Sequence, residues 1–244
     1  FITWEIPIPG LEFTDDVSWV GTSYTLHDFG DYKIIDSAQR VERGQFSEAN
    51  DNDLMIFSFY PTKPVGSCDG GIIVSNSLEQ IEKLKTLAYN GMTTETANWD
   101  RKLLVPGYKC YMNSIQADIA TRNLSLLDAK NKRLSEIREQ YNEHYGLNNT
   151  SGHLYQIPVR GVWSAMSSMK GEHKIQTGQH YKCLHKLDAY KNIECVRKDT
   201  IFEKSERWED FMLSIPFHEK LTSEEIKHIF KGTGFIYSKR NRII

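Results

Sequence analysis

The sequence predicts an α/β protein with a smaller α+β domain at its C-terminal end. Short apolar runs alternate with amphipathic helical patterns through the first half, which is the order expected of strands and helices packed in layers. With 39% hydrophobic and 25% charged residues in 244, the composition is that of a globular protein with a substantial core. We expect a larger domain over residues 1–128 and a smaller one over residues 129–244.

Charge, hydropathy and cysteine spacing argue against nucleic-acid binding, a membrane anchor, a zinc site and a disulfide framework. The formal net charge of -2 gives no electrostatic reason to expect a nucleic acid. Apolar runs all fall short of a membrane span, so we expect no membrane anchor. Cys68, Cys110, Cys183 and Cys195 are scattered without a C-x-x-C pair, which argues against zinc and against a disulfide framework. We therefore expect reduced thiols, no metal site and a cytoplasmic location.

The first half contains four predicted strands and one helix. Each strand is a short run rich in apolar residues, and the runs are residues 17–20, 33–35, 54–59 and 72–74. The helix covers residues 77–89, where apolar residues recur at three-residue steps on one face and Ser77 is placed to cap the first turn. We expect the last two strands to be buried.

The longest helical pattern covers residues 113–145 and is followed by Gly146, a residue that commonly ends helices. A pattern longer than about 25 residues indicates a kink or two successive helices, and we expect a break near residues 125–131. Beyond it we predict a strand at residues 154–159, a second strand near residues 174–181, and helices near the end. This mixture is typical of a small α+β domain.

An acid and an amide follow the second predicted strand. Asp36 comes directly after the apolar run, and Gln39 follows three residues later. Residues at the carboxyl ends of strands in an open α/β sheet face the ligand crevice, so both side chains could enter one pocket. The alternative is an aspartate that starts a turn or caps a helix, and on the residues alone this alternative is favoured.

The stretch SFYPTK places Ser58 at a strand end and Lys63 on a tight loop five residues later. Burying an unpaired ammonium is costly, so such a lysine is either turned to solvent or used for its chemistry. A hydroxyl and a lysine of lowered pKa would suit a phosphate ligand and a Schiff-base nucleophile. An exposed loop lysine beside a structural serine is an equal alternative.

These segments belong to a longer series whose order resembles one family. D-x-x-Q at residues 36–39 and S-F-x-x-T-K at residues 58–63 precede a Gly-Gly-apolar strand, and P-G-Y at residues 106–108 precedes an I-Q-A helix. TGQHYKCLH at residues 177–185 and LSIPFHEKLTSEE at residues 213–225 continue the series. From the second predicted strand to its end, the chain is similar to the DegT/DnrJ/StrS family of pyridoxal-phosphate-dependent nucleotide-sugar aminotransferases.

The resemblance implies part of a fold-type I aminotransferase large domain, with a mainly parallel sheet and flanking helices, before the small domain. It places Lys63 where the family's lysine forms the internal aldimine with pyridoxal 5'-phosphate and then moves protons. Asp36 matches the acid that pairs with the pyridine nitrogen and favours the electron-withdrawing, protonated ring. Gln39 matches a residue near the cofactor ring, and Ser58 matches a phosphate ligand. The lysine separates the chain from dehydratase members, which carry a histidine there.

Two later segments are implied to complete the site. His180, Tyr181 and His185 fall in the segment that lines the family's sugar site, although a histidine in a loop is more often structural. Lys109 falls in the segment GYKCY, which in the family reaches the cofactor phosphate of the neighbouring subunit, where a lysine binds as a point charge. The family usually reads G-Y-N-Y-R there, so the two residues after Lys109 depart from the pattern.

The resemblance therefore implies an aminotransferase that moves an amino group, taken from glutamate, to a keto group of a nucleotide-linked sugar, and that works as a homodimer. Family members carry a long region before the acid, with a turn whose backbone NH groups hold the phosphate. The opening FITWEIPIPG shows neither this turn nor a signal-peptide pattern, so the chain looks like the C-terminal part of a longer protein or a shortened relative. A catalytically silent relative that binds a partner subunit or a nucleotide sugar is the alternative.

Overall fold

The structure, a computed structural model, describes residues 16–93, 99–188, 190 and 201–238. The chain packs as two compact units, of which the first is Gly21–His153 and the second combines Phe1–Val20 with Leu154–Ile244. We call them the first unit and the second unit. The domains predicted at residues 1–128 and 129–244 follow a different division, and they stay a prediction.

A four-stranded sheet in the order β1-β2-β3-β4 organises the first unit. Its strands are β1 (Tyr24–Asp28), β2 (Lys33–Asp36), β3 (Leu54–Ser58) and β4 (Gly71–Val74). β2 and β3 run parallel, whereas β1 and β4 pair antiparallel with their neighbours. A short turn joins β1 to β2, and antiparallel strands are the ones that short turns can connect. Among the described strands the sheet is thus mixed, where the sequence predicted a mainly parallel one.

The hydrophobic core of the first unit lies on one face of β3. Its buried residues are Met55, Phe57, Phe59, Val65, Ala120 and Leu127. Side chains alternate between the two faces of a strand, so Met55 and Phe57 face this core while Ile56 and Ser58 face the opposite side. Burying an apolar side chain of this size contributes about 1.5–3 kcal/mol, which makes β3 the strand that anchors the sheet.

Three helices follow the sheet, namely α1 (Leu78–Ala88), α2 (Ser114–Ser125) and α3 (Leu127–Tyr145). The predicted helix ends are present: the Ser77 hydroxyl accepts the Gln80 backbone N–H, and Gly146 ends α3 with a φ of 60°. The break predicted near residues 125–131 occurs at Leu126, which lies between α2 and α3. The local sequence signals therefore predicted these boundaries correctly.

The prediction of burial for the fourth strand was wrong. Ile72 and Ile73 on β4 are 49% and 37% exposed, and every residue of β4 is exposed or half-buried. The helix after it behaves in the same way, since α1 contains no buried residue and Leu78 is 72% exposed. The apolar pattern predicted the strand and the helix, but burial also requires a covering surface that the described residues of this unit do not provide.

The described part of the second unit contains a two-stranded antiparallel sheet, three α-helices and the short 3-10 helix Leu184–Lys186. The strands are β5 (Tyr155–Pro158) and β6 (Met212–Ile215), and the helices are α4 (Val162–Gly171), α5 (Glu203–Phe211) and α6 (Ser223–Thr233). Both strands are buried throughout, and α4 and α5 pack against β6. A capping box of Thr222 and Glu225 begins α6. No helix in the described ranges is long and apolar enough to span a membrane.

Two strand predictions in the second unit were wrong. Residues 17–20 form a turn, because the Asp16 carboxylate accepts the backbone N–H and the hydroxyl of Ser18 and so stabilises a bend. Residues 174–181 form a single bridge, between Gly178 and Ser214, and no strand. Lys174 has a φ of 57°, which is incompatible with an extended strand at that point.

The anchoring role of β3 gives a stability prediction. Replacing Met55 by alanine removes a side chain that is 1% exposed in the core, and we expect the free energy of unfolding to fall by about 2–5 kcal/mol. The exposed Leu78 is a matched control, and Leu78→Ala should change it by less than about 0.5 kcal/mol. Urea denaturation followed by circular dichroism measures both, and equal effects of the two substitutions would show that β3 does not anchor the unit.

Candidate active site

Asp36 lies at the carboxyl end of β2, where β2 runs parallel to β3. Its Cα is paired with that of Ile56, and the following residue, Ser37, donates its backbone N–H to the Ile56 carbonyl at 2.8 Å. Paired residues in neighbouring strands point to the same face, and residues two apart in a strand also share a face. Asp36 and Ser58 therefore lie on the same face of the sheet, opposite the hydrophobic core.

The Asp36 carboxylate accepts a hydrogen bond on each oxygen. The Ala38 backbone N–H donates to Oδ1 at 2.8 Å, and the Tyr24 hydroxyl donates to Oδ2 at 3.0 Å. The turn interaction with Ala38 is the structural role that the residues alone favoured. A carboxylate has about four lone-pair positions, so each oxygen keeps the capacity to accept another donor.

Buried polar side chains support the end of β2 from the side of β1. Ser37 is fully buried, and its hydroxyl lies 2.8 Å from that of Ser23. The Gln45 amide nitrogen donates to both hydroxyls, at 2.9 and 3.1 Å, while its oxygen accepts the Glu42 backbone N–H at 2.9 Å. All of these groups are satisfied without a charge, so the network holds β1 and β2 in one register.

Gln39 is also buried beside Asp36, but its amide oxygen is engaged. The Gly21 backbone N–H donates to Gln39 Oε1 at 2.9 Å. Its predicted place near a cofactor ring stays a prediction. In this structure the Gln39 side chain binds the backbone of Gly21 and so holds the segment before β1 in place.

Lys63 lies on the loop between β3 and β4, and its side chain is half-buried. Burial lowers the pKa of Lys63 from its ordinary value, and the Asp36 carboxylate opposes this by favouring the charged amine. The Asp36 carboxylate thus acts electrostatically on the Lys63 amine, so Lys63 is not an ordinary solvent-facing lysine. A half-buried amine whose pKa is lowered by burial and raised by a carboxylate is a combination found at functional sites.

Hydrogen bonds within the loop determine where the lysine lies. The Lys63 backbone N–H donates to the Tyr60 carbonyl at 2.9 Å, and the Ser67 N–H returns to the Phe59 carbonyl at 2.7 Å. Gly66 has a φ of 65°, and a Cβ there would lie 2.9 Å from the Pro61 carbonyl oxygen, so the turn requires glycine. The loop is therefore closed by its own backbone hydrogen bonds.

The helices of the first unit hold the same loop from outside. Lys130 Nζ on α3 donates to the Pro64 carbonyl at 2.7 Å, and the Asn123 side-chain amide on α2 donates to the Gly66 carbonyl at 2.6 Å. The Ser67 hydroxyl donates to a carbonyl of α2 at 2.8 Å. Three side-chain bonds to consecutive parts of one loop restrict its movement and hence the position of the Lys63 amine.

Ser58 and Lys109 have different environments. The Ser58 hydroxyl accepts the Tyr60 backbone N–H at 3.3 Å and keeps its own proton as a donor. Lys109 is exposed, and its ammonium lies 5.7 Å from the centre of the Tyr111 ring. Ser58 thus shares the face of Asp36, whereas Lys109 forms an isolated antiparallel bridge with Tyr89, the residue after α1. The predicted roles of both residues stay predictions.

His180, Tyr181 and His185 belong to the second unit, where hydrogen bonds position the two histidines. The Nδ1 atom of His180 lies 2.8 Å from the Ser214 hydroxyl on β6, and Nε2 of His185 lies 2.9 Å from a carboxylate oxygen of Glu206 on α5. The ring of Tyr181 stacks on Trp19 with 5.8 Å between centroids. Substrate binding by the three residues stays a prediction.

A buried thiol lies within the same segment. Burial, with a hydrogen bond to Glu209, raises the pKa of Cys183 to about 12, so this thiol is not activated as a nucleophile. The described residues of both units also contain no cluster of metal-ligating side chains. None of them form a group of three or more His, Cys, Asp and Glu side chains that could hold a metal ion.

Sequence reasoning missed Tyr24 and Gln45. Tyr24 lies outside the motifs, and its approach to Asp36 depends on the antiparallel pairing of β1 with β2, in which the two residues are direct partners. Gln45 lies in the 3-10 helix Gln45–Glu48, in a stretch without periodicity. The available signal for Tyr24 was its place in a short run of residues that favour strands, close in the chain to the strand that ends at Asp36. No local pattern specified that these two strands would pair.

Comparison with known proteins decides the family. Residues 43–233 match the DegT/DnrJ/EryC1/StrS aminotransferase family. The chain belongs to this family. The matched range includes Ser58, Lys63 and the segment with His180, and begins after Asp36.

Individual family relatives are similar at low identity. A UDP-4-amino-4,6-dideoxy-N-acetyl-beta-L-altrosamine transaminase from Campylobacter jejuni is 26% identical over 199 residues, which cover 75% of this chain and 52% of that protein. The spore coat polysaccharide biosynthesis protein SpsC from Bacillus subtilis is 24% identical over 205 residues, covering 74% and 52%. The chain thus spans about half the length of these curated relatives.

Solved structures confirm the fold class. A DegT DnrJ EryC1 StrS aminotransferase from Brucella abortus matches with a TM-score of 0.68 at 20% identity, covering 83% of this chain and 63% of that one. The PLP form of the putative sugar aminotransferase Spr1654 from Streptococcus pneumoniae matches with a TM-score of 0.63 at 24% identity, covering 73% and 50%. The predicted partial fold-type I architecture is confirmed.

The coupling of Lys63 to Asp36 gives a pH-dependent prediction. The carboxylate raises the pKa of Lys63 against the lowering by burial, so Asp36→Asn should lower the pKa further. The amine will then lose its proton at a lower pH and react at a lower pH. Acylation of Lys63 by an N-hydroxysuccinimide ester, followed by mass spectrometry across a pH series, measures the midpoint.

The exposed Asp28 at the other end of the β1–β2 hairpin provides the matched control. Asp28→Asn should leave the midpoint for Lys63 where it is in the unaltered protein, because Asp28 is not among the groups that shift its pKa. An unchanged or raised midpoint in Asp36→Asn would show that the two groups do not interact.

Proposed function

We propose that the protein is a pyridoxal-phosphate-dependent aminotransferase that transfers an amino group, taken from glutamate, to a keto group of a nucleotide-linked sugar. The observation that carries the proposal is the half-buried Lys63 amine, whose pKa is lowered by burial and raised by the Asp36 carboxylate. Asp36 ends β2, and Lys63 lies on the loop that follows the parallel strand β3. Family membership and the relative named as a UDP-sugar transaminase support the same class of reaction. Because the chain spans about half of that relative, the activity of the whole protein is part of the proposal.

The residues present fit this cofactor chemically. Asp36 keeps lone pairs that can accept a ring N–H, Ser58 keeps a hydroxyl donor for a phosphate oxygen, and Lys63 offers an amine. When bound, pyridoxal phosphate supplies an aldehyde that takes up an amino group and a ring that withdraws electrons from the reacting carbon. The similarity to the PLP form of Spr1654 from Streptococcus pneumoniae supports the choice of cofactor.

Lys63 is the residue to which we assign covalent binding and proton movement. Its lowered pKa increases the fraction of unprotonated Nζ at neutral pH, and the unprotonated amine is the form that attacks an aldehyde or takes up a proton. The bonds from Lys130 and Asn123 to its loop keep that nitrogen in place. Asp36 is assigned to hold the ring nitrogen in its protonated form.

The remaining assignments complete the proposal. Gln39 would lie near the cofactor ring, and Ser58 and Lys109 would bind phosphate. His180, Tyr181 and His185 would contact the nucleotide sugar. The proposal includes a cytoplasmic location, which suits the unbridged thiols of Cys68, Cys110 and Cys183.

Cofactor titration tests the assignment of the lysine. The full-length protein should develop a visible absorbance band on addition of pyridoxal phosphate, and Lys63→Ala should abolish that band because the covalent bond is assigned to the Lys63 amine. Lys102→Ala is the control, since Lys102 is an exposed lysine of the same unit, and it should leave the band intact. A band that persists in Lys63→Ala would rule out this lysine.

A half-reaction separates transfer from binding without chemistry. Glutamate should convert the Lys63-dependent band to that of the aminated cofactor, and calorimetry should detect binding of a nucleotide sugar. A protein that binds the nucleotide sugar yet leaves the band unchanged in glutamate is the catalytically silent binder that the sequence left as the alternative.

We further propose a homodimer, in which the segment around Lys109 meets a second copy. Leu103, Leu104 and Tyr108 in this segment are 67%, 58% and 70% exposed, which is unusual for three large apolar side chains within six residues. Aromatic and aliphatic side chains are the typical core of an interface between subunits. The family resemblance supports this choice, because it implies that this segment reaches the cofactor phosphate of the neighbouring subunit.

An apolar-to-charged substitution tests the interface. Leu104→Asp should weaken self-association by about tenfold or more, because a carboxylate would be buried against the second copy. Leu26→Asp, which changes a leucine of similar exposure on β1, should leave association unchanged. Sedimentation equilibrium measures both, and equal association of Leu104→Asp and the unaltered protein would place the interface elsewhere.

A further inference from the structure

Tyr24 stands directly opposite Asp36 in the β1–β2 hairpin. The two Cα atoms are register partners, and the Tyr24 hydroxyl donates to Asp36 Oδ2 at 3.0 Å while the Ala38 N–H donates to Oδ1 at 2.8 Å. Two donors on different oxygens fix the rotation of the carboxylate plane. With only the Ala38 bond, the carboxylate could tilt about the Cβ–Cγ bond within the tolerance of one hydrogen bond, or exchange its two oxygens by a half-turn.

The position of Tyr24 is determined by its neighbour on the chain. Ser23 precedes it, and the Ser23 hydroxyl lies 2.8 Å from that of the fully buried Ser37 and accepts the Gln45 amide at 2.9 Å. The residues next to Tyr24 and next to Asp36 are therefore tied together across the strands. This network fixes the register at the Tyr24–Asp36 end of the hairpin, before the shift between Thr25 and His27, and that register sets the phenol against the carboxylate.

We propose that Tyr24 is a positioning residue that orients the Asp36 carboxylate toward the nitrogen of the cofactor ring. The inference rests on the proposed function, because it assigns Asp36 to that nitrogen. Tyr24 itself acts through Asp36 and not on the reacting atoms. Its phenol fills one lone-pair direction of Oδ2 and leaves the remaining directions for the incoming N–H.

A tyrosine-to-phenylalanine exchange removes the donor and keeps the ring. In Tyr24→Phe, the dissociation constant for pyridoxal phosphate should rise about 3- to 10-fold, the effect of one lost hydrogen bond. The visible circular dichroism of the bound cofactor, divided by its absorbance, should also fall, because a carboxylate free to rotate holds the ring less uniformly. A purely structural role would lower the melting temperature without changing this ratio.

The control and the double variant show whether the effect passes through Asp36. Tyr32 lies at the turn end of the same hairpin and stacks on Phe29 at 4.8 Å, so Tyr32→Phe removes a phenol hydroxyl at a distance from the carboxylate. It should change neither quantity. In an Asp36→Asn background, Tyr24→Phe should add no further loss of affinity, because coupled residues are not additive.

A measurement without cofactor separates this proposal from the proposed function. In the cofactor-free full-length protein, the carbon-13 resonance of the Asp36 carboxyl should move in Tyr24→Phe and stay in place in Tyr32→Phe. If the Lys63-dependent band is present but Tyr24→Phe behaves like Tyr32→Phe, the positioning role is overturned and the proposed function stands. If the band is absent although the resonance moves, the hydrogen bond exists but the proposed function fails, and the positioning role fails with it.

Discussion

The parallel pairing of β2 with β3 is the constraint on which the site depends. It places Asp36 beside Ile56, and through the alternation of β3 it puts Ser58 on the same face and the hydrophobic core on the other. Met55 and Phe57 therefore stabilise the strand by burial while the opposite face remains available for polar groups. A slip of one residue in this register would exchange the two faces and bury Ser58 in the core.

The amine of Lys63 depends on a second set of contacts, made by the helices. Desolvation lowers its pKa only if the loop stays closed over it, and closure is maintained by donors on α2 and α3 that bind the loop carbonyls. The break at Leu126 separates these two helices, each of which supplies one of the donors. The chemistry of one side chain thus depends on residues about sixty positions later in the chain.

Local signals in the sequence predicted the helix ends, the break and the residues of the motifs, because caps, glycines and motif spacing involve neighbours in the chain. β1 left no such signal, because four of its five residues are exposed and it has no apolar run. The antiparallel β1–β2 hairpin was not predicted, and with it Tyr24 was missed, although its hydroxyl contacts the acid that the motif singled out. Burial was the second difficulty: the apolar run of β4 was found correctly, but whether it is covered depends on surfaces outside the run.

The first unit contains two contrasting regions: a buried polar network whose groups are paired, and apolar side chains that are exposed to water. Around Asp36, hydroxyls and amides are buried and pair with one another, so this part is rigid without any further contact. At β4, α1 and the segment of residues 103–108, large apolar side chains remain in water, which is unfavourable by about 25 cal/mol for each Å² that could be covered. The unit is thus preorganised where the chemistry is proposed, and its exposed apolar side chains lie elsewhere, including the segment that we propose meets a second copy. This distribution allows the position of the Asp36 carboxylate to be set by the chain itself, before any partner binds.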